Sequence, residues 1–188
     1  MKKMMLIALM LVATTTSFAQ IYIKPMVGGT LANVTKSDMD YKFGLVAGGE
    51  VEFPVASQFS ITGGLLYSMQ GAKKDDYKMN LDYLNIPVLA NIYVAPGFAL
   101  KAGVQLGIKA NAEAKYGDTK LDISDSFKST VFDIPVGLSY EFNDFVIDAR
   151  YNIGITNVSE PIKAFGFKEE VEGKNSVFML TLGYKFGI

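Results

Sequence analysis

The sequence predicts an all-β protein, an eight-stranded antiparallel up-and-down transmembrane β-barrel. Two observations support this fold class. Apolar and polar residues alternate with a period of two through eight segments of the chain, as in β-strands whose two faces meet different environments. The connections between these segments are alternately long and short, which is typical of barrels with long extracellular loops and short periplasmic turns.

The last two segments show the alternation most clearly. In segment seven, Phe145 to Thr156, one face is apolar or aromatic throughout, whereas Asp148 and Arg150 lie on the other face. Segment eight, Asn175 to Phe186, has an apolar face opposite a face that carries Lys185. Charged residues in mid-strand, opposite an unbroken apolar face, indicate an apolar exterior in contact with lipid and a polar interior.

The composition limits the class of protein. The chain has 188 residues, of which 49% are hydrophobic and 12% aromatic, so we expect a single folded domain. The formal net charge of −1 gives no electrostatic footprint for nucleic acid, and no nucleic-acid partner is expected. Because the chain contains neither cysteine nor histidine, disulfide bonds, thiolate metal sites and histidine bases are excluded.

Residues 1–19 have the features of a secretory signal peptide. Lys2 and Lys3 precede an apolar run from Met4 to Ala13, and Ser17-Phe18-Ala19 is a small-x-small cleavage site. We expect cleavage after Ala19, with residues 20–188 as the barrel domain; an uncleaved anchor is the alternative. No later segment has the roughly 20 consecutive apolar residues of a spanning helix, so a membrane crossing must use strands. The expected location is the outer membrane.

The eight segments follow one another along the whole of residues 21–186. They are Ile21 to Ala32, Tyr41 to Phe53, Phe59 to Gln70, Asn80 to Val94, Phe98 to Ala110, Thr130 to Phe142, Phe145 to Thr156 and Asn175 to Phe186. Each is long enough for a tilted membrane strand, which needs about 9–11 residues. An even number of strands returns both ends of the chain to the same side, as outer-membrane barrels require.

Each of the first six segments opposes an apolar face to a face of different chemistry. The inward face carries Lys24 in segment one and Glu50 with Glu52 in segment two. It carries serine, threonine and glycine in segment three, and tyrosine and asparagine in segment four. Lys101 lies on the inward face of segment five, and Asp133 lies on the inward face of segment six. The alternation therefore assigns charge to the lumen in most strands.

The lengths of the connections and the positions of the outward aromatic residues predict the same orientation of the barrel in the membrane. The predicted long loops are Asn33 to Asp40, Gly71 to Lys78, Asn111 to Ser129 and Asn157 to Lys174, and the short turns are Pro54 to Gln58, Ala95 to Gly97 and Asn143-Asp144. Aromatic residues of outward parity lie beside the short turns or the chain ends (Phe53, Phe59, Phe98, Phe142, Phe145, Phe186) or near the opposite rim (Phe43, Tyr67, Phe132, Phe178). This placement predicts the two interfacial girdles of an outer-membrane barrel.

The predicted lumen contains balanced charge. Ten residues have inward parity: Lys24, Lys101, Lys109, Arg150 and Lys185, with Glu50, Glu52, Asp133, Glu141 and Asp148. Side chains nearly fill an eight-stranded barrel, and buried charge must be paired, so these residues are expected to form a plug. A narrow ion path or a small-ligand pocket is the alternative.

Inward prolines and glycines carry further expectations. Pro87 and Pro135 each remove a ladder donor, which predicts a β-bulge at each or a lumen water at the vacant partner. The inward glycines are expected to make room for long lumen side chains; they are Gly44, Gly48, Gly64, Gly103, Gly107, Gly137, Gly154 and Gly183.

The residues favour no enzyme, metal or cofactor site. Ser60, Ser68 and Ser139 share the lumen with lysines, but a lumen serine is more often a hydrogen-bonding filler than a nucleophile. The loop residues from Asp118 to Asp125 loosely resemble calcium spacing, yet they lack the glycine and terminal glutamate of an EF-hand loop. We therefore predict no catalytic residue, no cofactor and no metal ion.

Several motifs resemble the outer-membrane β-barrel domain family of Bacteroidota that is often called PorT-like, a small barrel of the OmpA/OmpX type. They are Ser17-Phe18-Ala19-Gln20 at the end of the signal peptide, Tyr83-Leu84-Asn85-Ile86-Pro87, Ala149-Arg150-Tyr151 with Gly154-Ile155-Thr156-Asn157, and the closing Gly183-Tyr184-Lys185-Phe186. Asn85 stands where the family has glutamate, and Gly187 and Ile188 follow the terminal aromatic residue. The resemblance implies an eight-stranded barrel in a Gram-negative outer membrane, and one branch of the family serves protein secretion.

These observations predict a non-enzymatic monomer with a structural or interaction role in envelope integrity, adhesion or secretion. Its expected partners are outer-membrane lipid and lipopolysaccharide, with a protein partner possible through the extracellular loops. The alternatives are a narrow channel and a soluble periplasmic barrel that binds a small apolar ligand, as lipocalins do. The soluble alternative requires an apolar lumen, whereas the charged face has inward parity here.

Overall fold

A computed structural model describes residues 20–36, 39–74, 77–116, 119–159, 162–164, 167–169 and 173–188. The predicted signal peptide lies outside these ranges. The strands are β1 (Tyr22–Val34), β2 (Asp40–Ala56), β3 (Phe59–Lys74), β4 (Tyr77–Ala95), β5 (Phe98–Tyr116), β6 (Thr119–Asp122), β7 (Thr130–Phe142), β8 (Phe145–Asn157), β9 (Ile162–Ala164), β10 (Phe167–Glu169), β11 (Lys174–Tyr184) and β12 (Phe186–Gly187). A short 3-10 helix spans Ser124–Ser126, and no helix in the described ranges is long and apolar enough to cross a membrane.

Eight strands form a closed antiparallel barrel, which confirms the predicted fold class. Each of β1, β2, β3, β4, β5, β7, β8 and β11 pairs with its neighbour in that order, and β11 pairs back onto β1 to close the sheet. The predicted two-residue turn at Asn143-Asp144 is confirmed by the pairing of Phe142 with Phe145, and Asn143 has the positive φ of 53° that such a turn needs. The closed wall leaves its eight strands without a free edge.

The remaining strands extend this wall or lie beyond it. β12 continues β11 against β1 in the same register, and the break between them lies opposite Pro25, which has no backbone N–H to donate. β6 folds back onto the upper end of β5, where it covers no other strand. β9 and β10 form a separate two-stranded hairpin.

The two faces of the wall have the predicted environments. Outward aliphatic side chains are well exposed along each of the eight strands, for example Val104 at 61% and Leu180 at 50%. Inward charged side chains are buried in the barrel, including Lys24, Glu50 and Asp148. The outward aromatic positions of both predicted girdles face away from the lumen; the most exposed of them are Phe43, Phe132 and Phe178 near one rim and Phe53, Phe142, Phe145 and Phe186 near the other.

The strands extend further into the predicted long loops than the sequence suggested. β3 and β4 continue to Lys74 and from Tyr77, and β5 runs on to Tyr116. On β5 the register shifts between Lys109 and Asn111, so that Ala110 is an extra residue against β4. Such a bulge reverses which parity faces inward, and it places Ala112 and Ala114 in the interior. The predicted end of segment five at Ala110 was therefore wrong, because the alternation changes phase there instead of stopping.

A β-bulge or a lumen water was predicted at Pro87 and at Pro135, and the bulge is absent at both positions. The pairing of Pro87 with Gln105 and of Pro135 with Asn152 keeps the register of the residues on either side. Each proline instead interrupts the ladder to its other neighbour, β3 for Pro87 and β5 for Pro135, while the register resumes unchanged beyond the gap. Losing one donor in a closed wall is evidently tolerated without an inserted residue.

Candidate functional site

The lower half of the lumen contains a cluster of five buried charged residues, here called the charged cluster: Lys24, Glu50, Lys101, Asp148 and Arg150. They project from β1, β2, β5 and β8, so the cluster bridges the barrel from one side to the other. All five are at most 4% exposed. Period-two alternation directs each of these side chains inward, and closure of the wall brings them together.

Arg150 is the centre of the charged cluster. Its Nε and Nη2 donate to the two carboxylate oxygens of Asp148 at 2.5 Å and 2.9 Å. Its Nη1 lies 2.6 Å from Oε1 of Glu50 across the lumen. The planar guanidinium thus engages one carboxylate with two parallel bonds and a second with its remaining nitrogen, a geometry that lysine cannot reproduce.

Two lysines complete the charge balance around Arg150. Lys24 Nζ lies 3.5 Å from Glu50 and 3.0 Å from Glu52. Lys101 Nζ is paired with Asp148 and lies 3.9 Å from Glu50. Glu50, Glu52 and Asp148 each contact at least two cations, which is the arrangement that makes buried charge tolerable.

Two inward glycines provide the space that the charged cluster occupies. Gly64 pairs with Glu50, and a Cβ on Gly64 would lie 2.7 Å from Cγ of Glu50. Gly137 pairs with both Lys101 and Arg150, and a Cβ there would lie 3.1 Å from Cγ of Arg150 and 2.3 Å from the carbonyl oxygen of Ala149. The expectation that glycines make room for long lumen side chains is confirmed at these two positions.

A second polar network closes the periplasmic mouth. The hydroxyl of Tyr93 lies 2.6 Å from Oε1 of Glu52 and 2.7 Å from Oε1 of Glu141. Lys185 donates to Glu141 at 2.8 Å and lies 4.4 Å from the ring centroid of Tyr22. A pocket of about 180 Å³ opens beside this network, and its lining includes Tyr22, Glu52, Ser60, Tyr93 and Lys185. The aromatic rings and the ion pairs narrow the lumen where it meets the periplasm.

Two of the ten predicted lumen charges do not join these networks. Asp133 accepts a hydrogen bond from Nε2 of Gln105 at 3.0 Å and has no cation beside it among the described residues. Lys109 donates instead to the backbone carbonyls of Ser124 and Phe127, at 2.5 Å and 2.6 Å. The prediction of five mutually paired cations and anions was therefore right for eight residues, because Lys109 holds the segment after β6 and Asp133 lies in an uncharged polar layer.

Apolar side chains close the lumen above the charged cluster. Met26, Val46, Leu66 and Met179 form a buried cluster in the middle of the barrel. A larger one lies at the extracellular end and comprises Val34, Ala72, Met79, Leu81, Tyr83, Ala112, Val131 and Val158. Ile123 and Phe127, which flank the 3-10 helix, pack against this upper cluster. Sequence parity could assign the four residues of the middle cluster to the interior, whereas Ala72, Ala112 and Val158 of the upper cluster lie in segments that were predicted to be loops.

Two of the three lumen serines considered as nucleophiles, Ser60 and Ser68, have hydrogen-bond partners. Ser60 donates to Glu52 at 2.9 Å and accepts from Asn91, and Ser68 accepts from Gln70. In the loop with loose calcium spacing, Asp118 lies outside the described residues. Asp122 accepts the backbone N–H of Ser124 at 2.8 Å, and hydrogen bonding to Ser124 lowers the pKa of Asp122. Within the described ranges, no group of three acidic side chains is placed to hold a metal ion.

Two solved structures show the same fold. The chain has a TM-score of 0.53 and 16% identity to Ail, the attachment invasion locus protein of Yersinia pestis, in complex with the heparin analogue sucrose octasulfate, covering 90% of this chain and 100% of Ail. It has a TM-score of 0.58 and 12% identity to neisserial surface protein A (NspA), covering 88% of this chain and 97% of NspA. At these identities the likeness concerns the fold alone.

The family comparison covers most of the chain. No curated protein matches. Residues 12–160 match the family described as "Outer membrane protein beta-barrel domain", a span that reaches from before β1 to beyond the end of β8. This family accounts for the closed wall with an apolar exterior and a charged interior. The chain belongs to the outer membrane protein beta-barrel domain family, and it is an integral protein of the outer membrane.

Proposed function

We propose that the protein is a non-enzymatic outer-membrane barrel with a closed lumen, which acts through the surface it presents outside the cell. The observation that supports a closed lumen is that side chains obstruct it at several successive heights along the barrel axis. The mouth network, the charged cluster and the two apolar clusters follow one another from the periplasmic to the extracellular end. An eight-stranded barrel is narrow enough for such layers to fill it.

This proposal predicts that the reconstituted protein conducts no steady ionic current in planar bilayers. The charged cluster leaves no row of unpaired charge for an ion to follow, and the apolar clusters resist wetting. An open porin reconstituted in parallel serves as the positive control, and the slower migration of boiled than of unboiled protein verifies that the barrel is folded. Steps of constant size and long duration would show a channel and would contradict the proposal.

The interaction role is supported by the position of the long connections between strands. The periplasmic turns are short, whereas the extracellular end has extended strands, the β6 hairpin and the β9–β10 hairpin. We include adhesion, envelope integrity and an accessory role in secretion within this proposal. Adhesion has one parallel, because Ail is by name an attachment protein. The soluble lipocalin-like alternative is disfavoured by the charged lumen and the exposed apolar exterior.

We further propose that residues 1–19 are a cleaved signal peptide, that the protein is a monomer and that it belongs to the PorT-like outer-membrane barrels of Bacteroidota. The charged n-region, the apolar run and the Ser17-Phe18-Ala19 site support the first of these. The intact mass of the membrane-extracted protein is expected to correspond to a chain that begins at Gln20. A mass that includes Met1 to Ala19 would contradict cleavage.

A further inference from the structure

Four lysines form a row across neighbouring strands at the extracellular end of the barrel. Lys73 on β3 pairs with Lys78 on β4, Lys78 pairs with Lys115 on β5, and Lys115 pairs with Lys120 on β6. Directly paired residues lie on the same face of a sheet. We call Lys73, Lys78, Lys115 and Lys120 the lysine row. Adjacent strands are about 4.8 Å apart, so the row extends over about 14 Å.

The lysine row faces outward. Ala72, Met79 and Ala114, which neighbour its members in sequence, are buried in the interior. Lys73, Lys78 and Lys120 are exposed, and the side chain of Lys115 is 34% exposed. The sequence spacing alone could not reveal this alignment, because it depends on the β5 bulge and on strand register.

Like charges directly opposite one another on a sheet are destabilising, so an uncompensated row is unfavourable. Of the four lysines in the row, only Lys115 forms an ion pair with a described residue, Glu113, at a distance of 3.9 Å. Lys73, Lys78 and Lys120 have no carboxylate within ion-pair distance in the part of the chain that the structure describes. The row therefore presents at least three cations to whatever surrounds the barrel.

The nearby outward carboxylates have other partners. Asp82 accepts hydrogen bonds from the hydroxyl of Tyr67 at 3.1 Å and from Asn111 at 3.4 Å. Asp122 accepts the backbone N–H of Ser124. These contacts hold Asp82 and Asp122 in place below the row. Asp82 and Asp122, among the described residues, therefore do not neutralise the exposed lysines.

The height of the lysine row indicates which molecules it meets. On β3 the outward column Leu65, Tyr67 and Met69 leads directly up to Lys73. On β4, which runs downward from Tyr77, the outward face is already polar at Asp82, four residues after Lys78 in the sequence and below it on the wall. With about 3.3 Å per residue and a tilt of about 40°, the row lies about 10 Å above the apolar band. A lipid packed against the apolar column carries its headgroup to this height.

We propose that the lysine row binds the phosphate groups of glycolipid headgroups in the outer leaflet of the membrane. A lysine ammonium is a compact charge with three donors, and phosphate oxygens are strong acceptors. A row of about 14 Å suits a headgroup that carries two separated phosphates better than a single free phosphate. The lipid compensates the repulsion within the row, and the row fixes the barrel against its neighbouring lipids.

The test compares two triple variants of the refolded mature protein. Lys73→Gln/Lys78→Gln/Lys120→Gln removes the exposed members of the row, and Lys74→Gln/Lys128→Gln/Lys174→Gln removes three charges elsewhere on the extracellular side. Native mass spectrometry in detergent measures retention of bisphosphorylated lipid A, of dephosphorylated lipid A with the same acyl chains, and of soluble heparin. Slower migration of boiled than of unboiled samples confirms that both variants fold.

We expect the row variant to bind bisphosphorylated lipid A roughly a hundredfold more weakly, since each lysine near an anionic surface contributes about fivefold. The control variant should bind as the wild type does, and dephosphorylated lipid A should not distinguish the proteins. Lys78→Gln alone should weaken binding about fivefold, which provides a measurement if the triple variant fails to fold. Equal weakening in both triple variants would overturn the proposal. Loss of heparin binding with lipid A binding intact would assign the row to a soluble polyanion and would overturn it as well.

Discussion

Arg150→Gln is expected to destabilise the barrel by about 3–5 kcal/mol, the usual cost of removing one partner from a buried ion-pair network. The substitution removes the two bonds to Asp148 and the contact with Glu50 across the lumen. Glutamine cannot supply the lost positive charge, so two buried carboxylates are left with Lys24 and Lys101 as their remaining cations. The free energy of unfolding is measured by urea titration in lipid vesicles, with the fraction folded read from the mobility of unboiled samples.

The double variant Glu50→Gln/Arg150→Gln is the matched control. Among the eight paired lumen charges, the double variant leaves Lys24, Lys101 and Lys185 with Glu52, Glu141 and Asp148, so the charges balance again and part of the lost stability should return. Lys115→Gln, at an exposed position with one long ion pair, should change the free energy of unfolding by less than about 1 kcal/mol. If Arg150→Gln behaved like Lys115→Gln, the charged cluster would contribute little to the stability of the fold.

Val104→Arg is expected to destabilise the barrel by about 2–4 kcal/mol, the cost of placing arginine near the midplane of a bilayer on the lipid face of a barrel. Val104 is 61% exposed and lies in the middle of β5, between Leu100 and Ile108 on the same outward face. The exposed valine would look like an ordinary surface position in a soluble protein, where the same change is nearly neutral. Urea titration in lipid vesicles measures the free energy of unfolding of Val104→Arg relative to that of the wild type.

Leu121→Arg tests whether contact with lipid causes the loss of stability that is expected for Val104→Arg. Leu121 is 64% exposed, close to the 61% of Val104, but it lies on β6 beyond the membrane-spanning wall. We expect its free energy of unfolding to stay within about 0.5 kcal/mol of the wild type. Comparable losses in Leu121→Arg and Val104→Arg would indicate that the apolar exterior of β5 is not covered by lipid.

The wall of the barrel could be predicted from the sequence because apolar and polar side chains alternate with a period of two residues. The period-two alternation assigns a residue such as Asp148 or Arg150 to the inward face of its strand. Eight segments with this alternation give the number of strands. Parity does not identify a partner across the lumen, since that depends on the curvature of the closed wall. Glu50 and Arg150 lie far apart in the chain, and nothing in the spacing of either residue points to the other.

The errors arose where the backbone departs from a regular ladder. The bulge at Ala110 on β5 changes the phase of the alternation, so the upper strand resembled a polar loop. At Pro87 and Pro135 a bulge or a lumen water was expected, and the bulge is absent because a missing donor interrupts one ladder without shifting the register. Lys109 has the parity of a lumen charge, yet the carbonyls of Ser124 and Phe127 lie nearer to it than any carboxylate of the charged cluster.

The charged cluster also has a consequence for the order of events during folding. Its members belong to β1, β2, β5 and β8, so no hairpin of adjacent strands contains the complete set of partners. A partly assembled sheet that entered the bilayer would expose unpaired lysine, arginine and carboxylate groups to hydrocarbon, at a cost of several kcal/mol each. Insertion and curling of the sheet are therefore thermodynamically coupled, and partly closed barrels are disfavoured as stable intermediates. The same ion pairs that obstruct the lumen make assembly cooperative.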